Sequence, residues 1–178
     1  LRKIIPHNII GFETATMQEL VHKILTERGL TLATAESCTG GVIASRFTAM
    51  PGASAYFRCG VVSYSNESKV KLLGVDPADI VRYGAVSEQV ARQMAEGARR
   101  AAEADYGIAT TGIAGPTGGS AEKPVGTVWI AVSSPERTVS RLIHVNGGHN
   151  KVIHKAGTAA IALLEEELLT EKTARYNP

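Results

Sequence analysis

The sequence has few aromatic residues, little cysteine and almost no net charge. Aromatic side chains make up 5% of its 178 residues, there are two cysteines, and the formal net charge is +2. Two cysteines form neither a disulfide framework nor a zinc site. No basic block supports nucleic-acid binding, and none of the scattered histidines has a metal-ligand spacing. We therefore expect neither nucleic acid nor metal as a partner.

Long apolar runs are also missing. No run approaches the roughly 20 residues that cross a membrane, and the start of the chain is too short, and too broken by Pro6, for a signal peptide. We therefore expect a cytoplasmic protein with no membrane contact. The chain is 44% hydrophobic and contains 18 glycines. This composition favours one ordinary domain with tightly packed helices and glycine-rich functional loops.

The hydrophobic pattern changes repeatedly between helix and strand periods. It predicts a helix capped by Thr16 and further helices over residues 39–49, 67–73, 88–103 and 150–169. It predicts strands over residues 30–36, 56–64, 106–111, 125–133 and 137–145, the last two forming a hairpin. This order predicts an α/β fold with a mixed, mostly parallel sheet that is covered on both faces. We expect an N-terminal arm over 1–13, one domain over 14–170 and a tail over 171–178.

The most informative segment is residues 34–41, Thr-Ala-Glu-Ser-Cys-Thr-Gly-Gly. Ser37 lies where a predicted strand turns into a predicted helix. Such a corner exposes a hydroxyl nucleophile beside free backbone N–H groups. The alternative interpretation is a helix N-cap, a position that serine favours anyway. Cys38 is a rival nucleophile.

A second segment, residues 64–69, ends a predicted strand and opens a helix. Lys69 lies one turn into that helix, where the helix dipole and partial burial favour its neutral form. A neutral lysine can act as a general base toward a serine hydroxyl. The alternatives are an ordinary solvated lysine and, for Tyr64, either a charge-stabilising role or a half-buried strand aromatic.

A third segment, residues 111–120, contains four glycines. Glycine lets backbone N–H groups approach a phosphate or carboxylate closely, although the loop matches neither the P-loop pattern nor the dinucleotide fingerprint. The alternative is a wide connection between two strands. Ligands of such folds bind beyond the carboxyl ends of strands, and all three segments fall there.

Together with residues 84–87, Gly-Ala-Val-Ser, and 122–128, Glu-Lys-Pro-Val-Gly-Thr-Val, these segments resemble the CinA C-terminal domain family. That family includes stand-alone nicotinamide mononucleotide deamidases. The resemblance spans roughly residues 15–168, with the motifs in order. It implies a three-layer α/β/α sandwich that forms a homo-oligomer. It also implies an amidohydrolase that converts nicotinamide mononucleotide to nicotinic acid mononucleotide and ammonia, with no metal or other cofactor.

The resemblance also assigns roles by position. Ser37 matches the nucleophile, Lys69 the base, and Tyr64 a tyrosine of the same site. The expected substrate-binding residues are Glu36, Thr39, Gly40, Gly41, Thr111, Gly112 and Gly115. Backbone N–H groups within 38–41 or 112–115 would bind the oxyanion. Cys38 is disfavoured as the nucleophile because no histidine falls within the matched motifs.

One position departs from the family pattern. After the last strand the family has a Gly-Asp-Arg run and then, four residues on, an arginine suited to the substrate phosphate. Here the run is residues 147–150, Gly-Gly-His-Asn, and Ile153 stands at the arginine position. Isoleucine cannot replace an arginine clamp on phosphate. The residues available to compensate are His149, Lys151, His154 and Lys155.

The departure leaves other functions open beside the amidohydrolase. The site either binds phosphate through the compensating residues, prefers another amide, or is inactive. A catalytically impaired module of the same fold would bind a nucleotide without turnover. An interaction domain would do neither.

Overall fold

The computed structural model describes the backbone of residues 16–175 and the side chains of residues 16–170. The strands are Leu32–Glu36 (β1), Phe57–Val62 (β2), Tyr106–Gly112 (β3), Thr127–Ser133 (β4) and Thr138–His144 (β5). The helices are Met17–Arg28 (α1), Val42–Thr48 (α2), Asn66–Leu73 (α3), Pro77–Tyr83 (α4), Glu88–Ala101 (α5) and His149–Arg175 (α6). A 3-10 turn, Ala53–Ala55, precedes β2.

The five strands form one sheet in the order β2-β1-β3-β4-β5. Strand β1 pairs in parallel with β2 and β3, whereas β4 is antiparallel to both β3 and β5. Four strands therefore run in one direction and β4 runs against them, which confirms the expected mixed sheet. Glu36 is in register with Val62 of β2 and with Thr110 of β3. The carboxyl ends of β1, β2 and β3 thus meet at one edge.

Apolar clusters on the two faces of the sheet make the fold a three-layer sandwich. One cluster joins strands to α1, α2 and α6, and the other joins them to α3 and α5. Successive residues of β3 divide between the clusters, because side chains alternate along a strand: Ile108 lies in the first and Ala109 in the second. The expected α/β/α sandwich is confirmed.

Small residues let α5 approach the sheet closely. The second cluster consists largely of alanines, and a Cβ added to Gly107 of β3 would lie 2.0 Å from the carbonyl oxygen of Ala95 on α5. Real Cβ atoms essentially never lie closer than 3.0 Å to such an atom, so a larger residue would push α5 away from the sheet. The high glycine and alanine content of the sequence therefore has a packing role, as the composition indicated.

Local signals explain most helix boundaries. Thr16 caps α1, as expected, and forms a capping box with Glu19, while Gly29 ends that helix with φ 63°. Ser87 caps α5 through the N–H of Val90. Asp76 caps α4 by accepting from the N–H of Ala78, and Pro77 occupies the first turn of that helix.

The last helix is longer than the sequence predicted. Helix α6 continues to Arg175, beyond the expected end at residue 169 and into the segment expected to be a tail. Leucine, glutamate and lysine at residues 163–172 are good helix formers, and no glycine or proline interrupts them. The predicted arm over residues 1–13 lies outside the described residues.

No helix within residues 16–175 combines the length and the hydrophobicity that crossing a membrane requires.

Candidate active site

A cavity of about 370 Å³ opens at the sheet edge where β1, β2 and β3 end. All three segments singled out in the sequence contribute to its walls, together with the turn before α5. It is lined by Ser37, Cys38, Tyr64, Asn66, Lys69, Ala85, Val86, Thr111, Gly112, Ile113, Ala114, Gly115, Thr117, Gly118 and His149. The topology therefore brings together the predicted nucleophile, the predicted base and the glycine-rich loop.

Ser37 is the first residue beyond β1. Its backbone N–H donates to the carbonyl oxygen of Thr110 at 3.0 Å, which anchors the turn to the neighbouring strand β3. The interpretation of Ser37 as a helix N-cap is wrong, because α2 begins at Val42 and Gly41 occupies the cap position with φ 100°. Ser37 instead lines the cavity, and its hydroxyl oxygen lies 3.1 Å from Lys69 Nζ.

The capping function belongs to Glu36. Its buried carboxylate accepts hydrogen bonds from the backbone N–H groups of Gly41 (3.0 Å), Ile43 (3.1 Å) and Ala44 (2.8 Å). These N–H groups belong to the start of α2, where no helical carbonyl is available to them and where a negative charge is favoured. Glu36 therefore fixes the turn that carries Ser37 and does not line the cavity.

Three other predicted substrate-binding residues also lie outside the cavity walls. Thr39 is buried, and its hydroxyl shares a 2.7 Å hydrogen bond with that of Thr110. Gly40 and Gly41 have φ angles of 61° and 100°. These left-handed conformations turn the chain from β1 into α2, which is a task for glycine. The structure thus gives the 39–41 segment a role in shaping the turn.

Lys69 reaches the nucleophile candidate from α3. Its Nζ lies 3.1 Å from Ser37 Oγ and donates to the carbonyl oxygen of Ser63 at 2.7 Å. The side chain is 1% exposed, so the interpretation of Lys69 as a solvated lysine is wrong. Burial lowers the pKa of the Lys69 ammonium, and the nearby Cys38 opposes this shift. Neither hydrogen-bond partner carries a negative charge, so the site favours the neutral amine.

Cys38 also lines the cavity, but its thiol is a poor nucleophile. Burial raises the pKa of Cys38 to about 12, with a smaller contribution in the same direction from Glu36. The thiolate is the reactive form of cysteine, and it is negligible at neutral pH for such a group.

Tyr64 lies at the mouth of the cavity. It follows the end of β2 and is 70% exposed, so the half-buried strand position considered from the sequence is wrong. Asn66, the first residue of α3, lines the same wall. The sequence analysis did not single out Asn66, although it lies within the 64–69 segment.

The glycine-rich loop supplies the facing wall. Thr111, Gly112 and Gly115, the remaining predicted substrate-binding residues, all line the cavity. The Thr111 hydroxyl donates to the carbonyl oxygen of Ala85 at 2.8 Å and so joins the loop to the turn before α5. Gly115 has φ +77°, and a Cβ there would lie 2.4 Å from Cγ1 of Val125. A larger residue at this bend would have to displace the Val125 side chain and adopt a strained backbone.

His149 is a cavity residue that the matched motifs missed. It begins α6, and its Nδ1 lies 2.6 Å from the carbonyl oxygen of Gly115. A carbonyl oxygen only accepts, so Nδ1 carries the proton and Nε2 is left for a ligand. The departure from the family pattern at residues 147–150 was the feature of the sequence that pointed to His149.

Ile153 packs against the apolar core and lies outside the cavity walls. Of the four residues considered as compensating, His149 alone is among the lining residues.

Backbone donors lie beside Ser37. Across residues 16–175, no acceptor in another residue is found for the N–H groups of Cys38 and Thr39, and the Cys38 N–H lies near its own sulfur. The N–H of Cys38 follows the serine directly, a position from which a backbone donor can reach an oxyanion formed at that serine. The described part of the chain also holds no cluster of three His, Cys, Asp or Glu side chains fit to bind a metal ion.

Comparison with known sequences gives consistent matches. A family model described as the CinA C-terminal domain matches residues 14–168. A CinA-like protein of Shewanella woodyi is 45% identical over 172 residues, which cover 96% of this chain and 41% of the relative. A CinA-like protein of Acidobacterium capsulatum is 47% identical over 154 residues, which cover 86% of this chain and 37% of the relative. The chain thus spans about two fifths of the length of these curated relatives.

Solved structures match as well. The competence damage-inducible protein A of Klebsiella pneumoniae superposes with a TM-score of 0.83 at 37% identity, over 86% of this chain and 95% of that one. A competence/damage inducible protein of Agrobacterium tumefaciens gives a TM-score of 0.79 at 40% identity, over 83% of this chain and 93% of that one.

Proposed function

The chain belongs to the CinA C-terminal domain family, and on that premise we propose that it is a serine amidohydrolase with a lysine base. The observation that carries the proposal is the 3.1 Å contact between Lys69 Nζ and Ser37 Oγ. Burial lowers the pKa of that lysine, so its neutral amine can accept the serine proton. The N–H of Cys38 is the nearest backbone donor in sequence for the oxyanion.

The proposed reaction proceeds in two halves. Ser37 Oγ attacks the carboxamide carbon of the substrate while Lys69 Nζ takes the hydroxyl proton. The tetrahedral intermediate collapses as Lys69 returns that proton to the leaving nitrogen, and ammonia departs. Water then attacks the acyl-enzyme, again giving its proton to Lys69, and the acid leaves with the serine reprotonated. All bonds formed and broken lie between substrate, Ser37, Lys69 and water.

We propose nicotinamide mononucleotide as the substrate, and residues 14–170 as the catalytic domain. The substrate rests on the resemblance in the motifs, since the matches are named CinA-like or competence/damage-inducible proteins and these names give no substrate. A volume of about 370 Å³ lies in the range of small-molecule sites. The glycine-loop N–H groups and His149, as an imidazolium that donates from Nε2 as well as from Nδ1, are the proposed phosphate contacts, because Ile153 does not line the cavity.

Product analysis with two substrates tests this proposal. Wild-type protein is incubated with nicotinamide mononucleotide and, separately, with nicotinamide riboside, and both ammonia and the carboxylate product are quantified. Release of ammonia from the mononucleotide supports the full proposal. Release from the riboside alone would mean that the substrate is the riboside and not the mononucleotide. Release from neither, at high enzyme concentration, contradicts the hydrolase. Calorimetric binding of the mononucleotide without turnover would then identify a nucleotide-binding module.

A further inference from the structure

We propose that Lys123, which lies outside the cavity walls, is a positioning residue that latches the glycine-rich loop onto the turn between α4 and α5. Only the kinetic test of this latch depends on the proposed amidase function; its test by hydrogen exchange does not. The latch is the hydrogen bond from Lys123 Nζ to the carbonyl oxygen of Tyr83, at 2.6 Å.

The acceptor end of the latch is the carboxyl end of α4. Tyr83 is the last residue of that helix, and the carbonyl groups of a last turn lack helical donors. The negative end of the helix dipole also favours a cation there. The ammonium of Lys123 therefore satisfies a group that the short helix leaves open.

The donor end of the latch is rigid. Lys123 N–H donates to the Ser120 hydroxyl at 3.0 Å, and Ser120 N–H donates to the Lys123 carbonyl oxygen at 2.9 Å. These two bonds close residues 120–123 into a compact turn, so that the half-buried Lys123 side chain leaves it in a fixed direction. Because residue 84 is glycine, Lys123 Nζ can come close to the backbone next to Tyr83. A Cβ there would lie 3.3 Å from Lys123 Nζ, and φ is +79°.

Both segments joined by the latch carry cavity walls. Gly115, Thr117 and Gly118 of the loop line the cavity, as do Ala85 and Val86 of the turn. Thr111 makes a second connection to the same turn, from its hydroxyl to Ala85 O at 2.8 Å. Thr111 is held in β3, whereas Lys123 follows the glycine-rich segment in the connection from β3 to β4. The Lys123 bond therefore fixes the loop relative to the turn, and with it the width of the cavity.

The experiment compares Lys123→Met, which keeps the length of the side chain and removes the donor, with Lys123→Arg, which retains a cation and N–H donors. Lys71→Met is the matched control, because Lys71 is an exposed lysine on α3 that lines neither wall. Amide hydrogen exchange is followed over residues 83–87 and 113–126, and steady-state kinetics are measured with nicotinamide mononucleotide.

For Lys123→Met we expect faster exchange in both segments and unchanged exchange in β1 and β3. We expect KM to rise about tenfold with kcat within about twofold, since a charge-assisted bond that shapes the substrate site is lost. Lys123→Arg should restore both, and Lys71→Met should change neither.

Unchanged exchange in either segment would overturn the latch. Acceleration spread over the whole chain, or a loss confined to kcat, would also overturn it, because each indicates a role other than loop positioning. If the wild type hydrolyses no amide, the proposed function fails, while the exchange comparison still decides the latch.

Discussion

Lys69 Nζ lies 3.1 Å from Ser37 Oγ although the two residues are 32 positions apart in the chain. The parallel pairing of β1 with β2 produces this contact. Both strands end at the same edge of the sheet, with Ser37 directly after β1 and α3 shortly after β2. The N–H of Ser63 donates to the carbonyl oxygen of Glu36 at 2.8 Å and locks the two strand ends together. The Lys69 amine then spans the remaining gap, held by Ser63 O.

Ser37→Ala should lower kcat for amide hydrolysis about a thousandfold or more, because the attacking oxygen is removed. Cys38→Ala should leave kcat within about threefold, because the Cys38 thiol, with its pKa raised to about 12, is protonated at neutral pH. Ammonia release measures both variants, and Ser45→Ala, an exposed serine of α2, serves as the control. The reverse ranking of the first two variants would make the cysteine the nucleophile.

The kcat/KM of the wild type should rise with pH through the lowered pKa of Lys69. Below that pKa the amine is protonated and cannot accept the serine proton, whereas above it the base is available. The acid limb should therefore have its midpoint below the ordinary lysine value of 10.5. A pH-rate profile checks this, and a flat profile from pH 6 to 9 accompanied by full activity of Lys69→Met would contradict the role of the lysine.

The same pKa shift has a consequence for stability that does not depend on turnover. The unfolded chain, with the ordinary pKa, binds the Lys69 proton at pH values where the folded protein has lost it, so this lysine makes folding more favourable as pH rises. Between the lowered pKa and 10.5, the free energy of unfolding of the wild type should increase relative to Lys69→Met by up to about 1.4 kcal/mol per pH unit. Denaturant unfolding of both proteins at pH 7 and pH 10 measures this difference. A constant difference would place the pKa at its ordinary value.

Glu36→Gln should lower the free energy of unfolding by about 2 kcal/mol, because a charged acceptor of three backbone N–H groups is replaced by a neutral amide with one oxygen. Glu67→Gln is the control, since Glu67 also stands in the first turn of a helix but is exposed. Its effect should be much smaller. Urea unfolding monitored by circular dichroism gives both values, and equal losses would show that the Glu36 bonds contribute nothing beyond an ordinary first-turn carboxylate.

Gly115→Ala should damage the site more than Gly118→Ala. Both glycines line the cavity and have φ angles in the left-handed region, so both substitutions share a strain of about 1 kcal/mol. Only at Gly115 would the new methyl also clash, 2.4 Å from Val125 Cγ1, whereas at Gly118 its nearest neighbour is Ile113 Cγ2 at 3.7 Å. We expect kcat/KM to fall at least about tenfold for Gly115→Ala, and much less for Gly118→Ala.

Equal kinetic losses in Gly115→Ala and Gly118→Ala would mean that the backbone conformation, and not the packing against Val125, limits the loop. Thermal unfolding of the two variants separates general destabilisation from a local change at the cavity.

The sequence predicted the roles of some site residues better than others. The turn from strand to helix made Ser37 a candidate, and a place one turn into the next helix did the same for Lys69. The resemblance of the motifs then assigned them the roles of nucleophile and base. Glu36 was predicted to bind substrate, and its carboxylate instead holds the N-terminus of α2. The neighbouring residues gave no sign of this. The Glu36 side chain reaches the start of α2 only because of the path of the turn between them, and that path depends on how β1 and α2 pack.

The sequence by itself determined the alternation of strands and helices, most helix boundaries and the three segments that line the cavity. These features depend on local periodicity, capping residues and glycine positions, which act over a few residues. The tertiary structure decided the burial of Lys69, the exposure of Tyr64 and the entry of His149 into the cavity. It also decided the bond from Lys123 to Tyr83. Each of these depends on contacts between residues far apart in the chain, and the order and direction of the strands set those contacts.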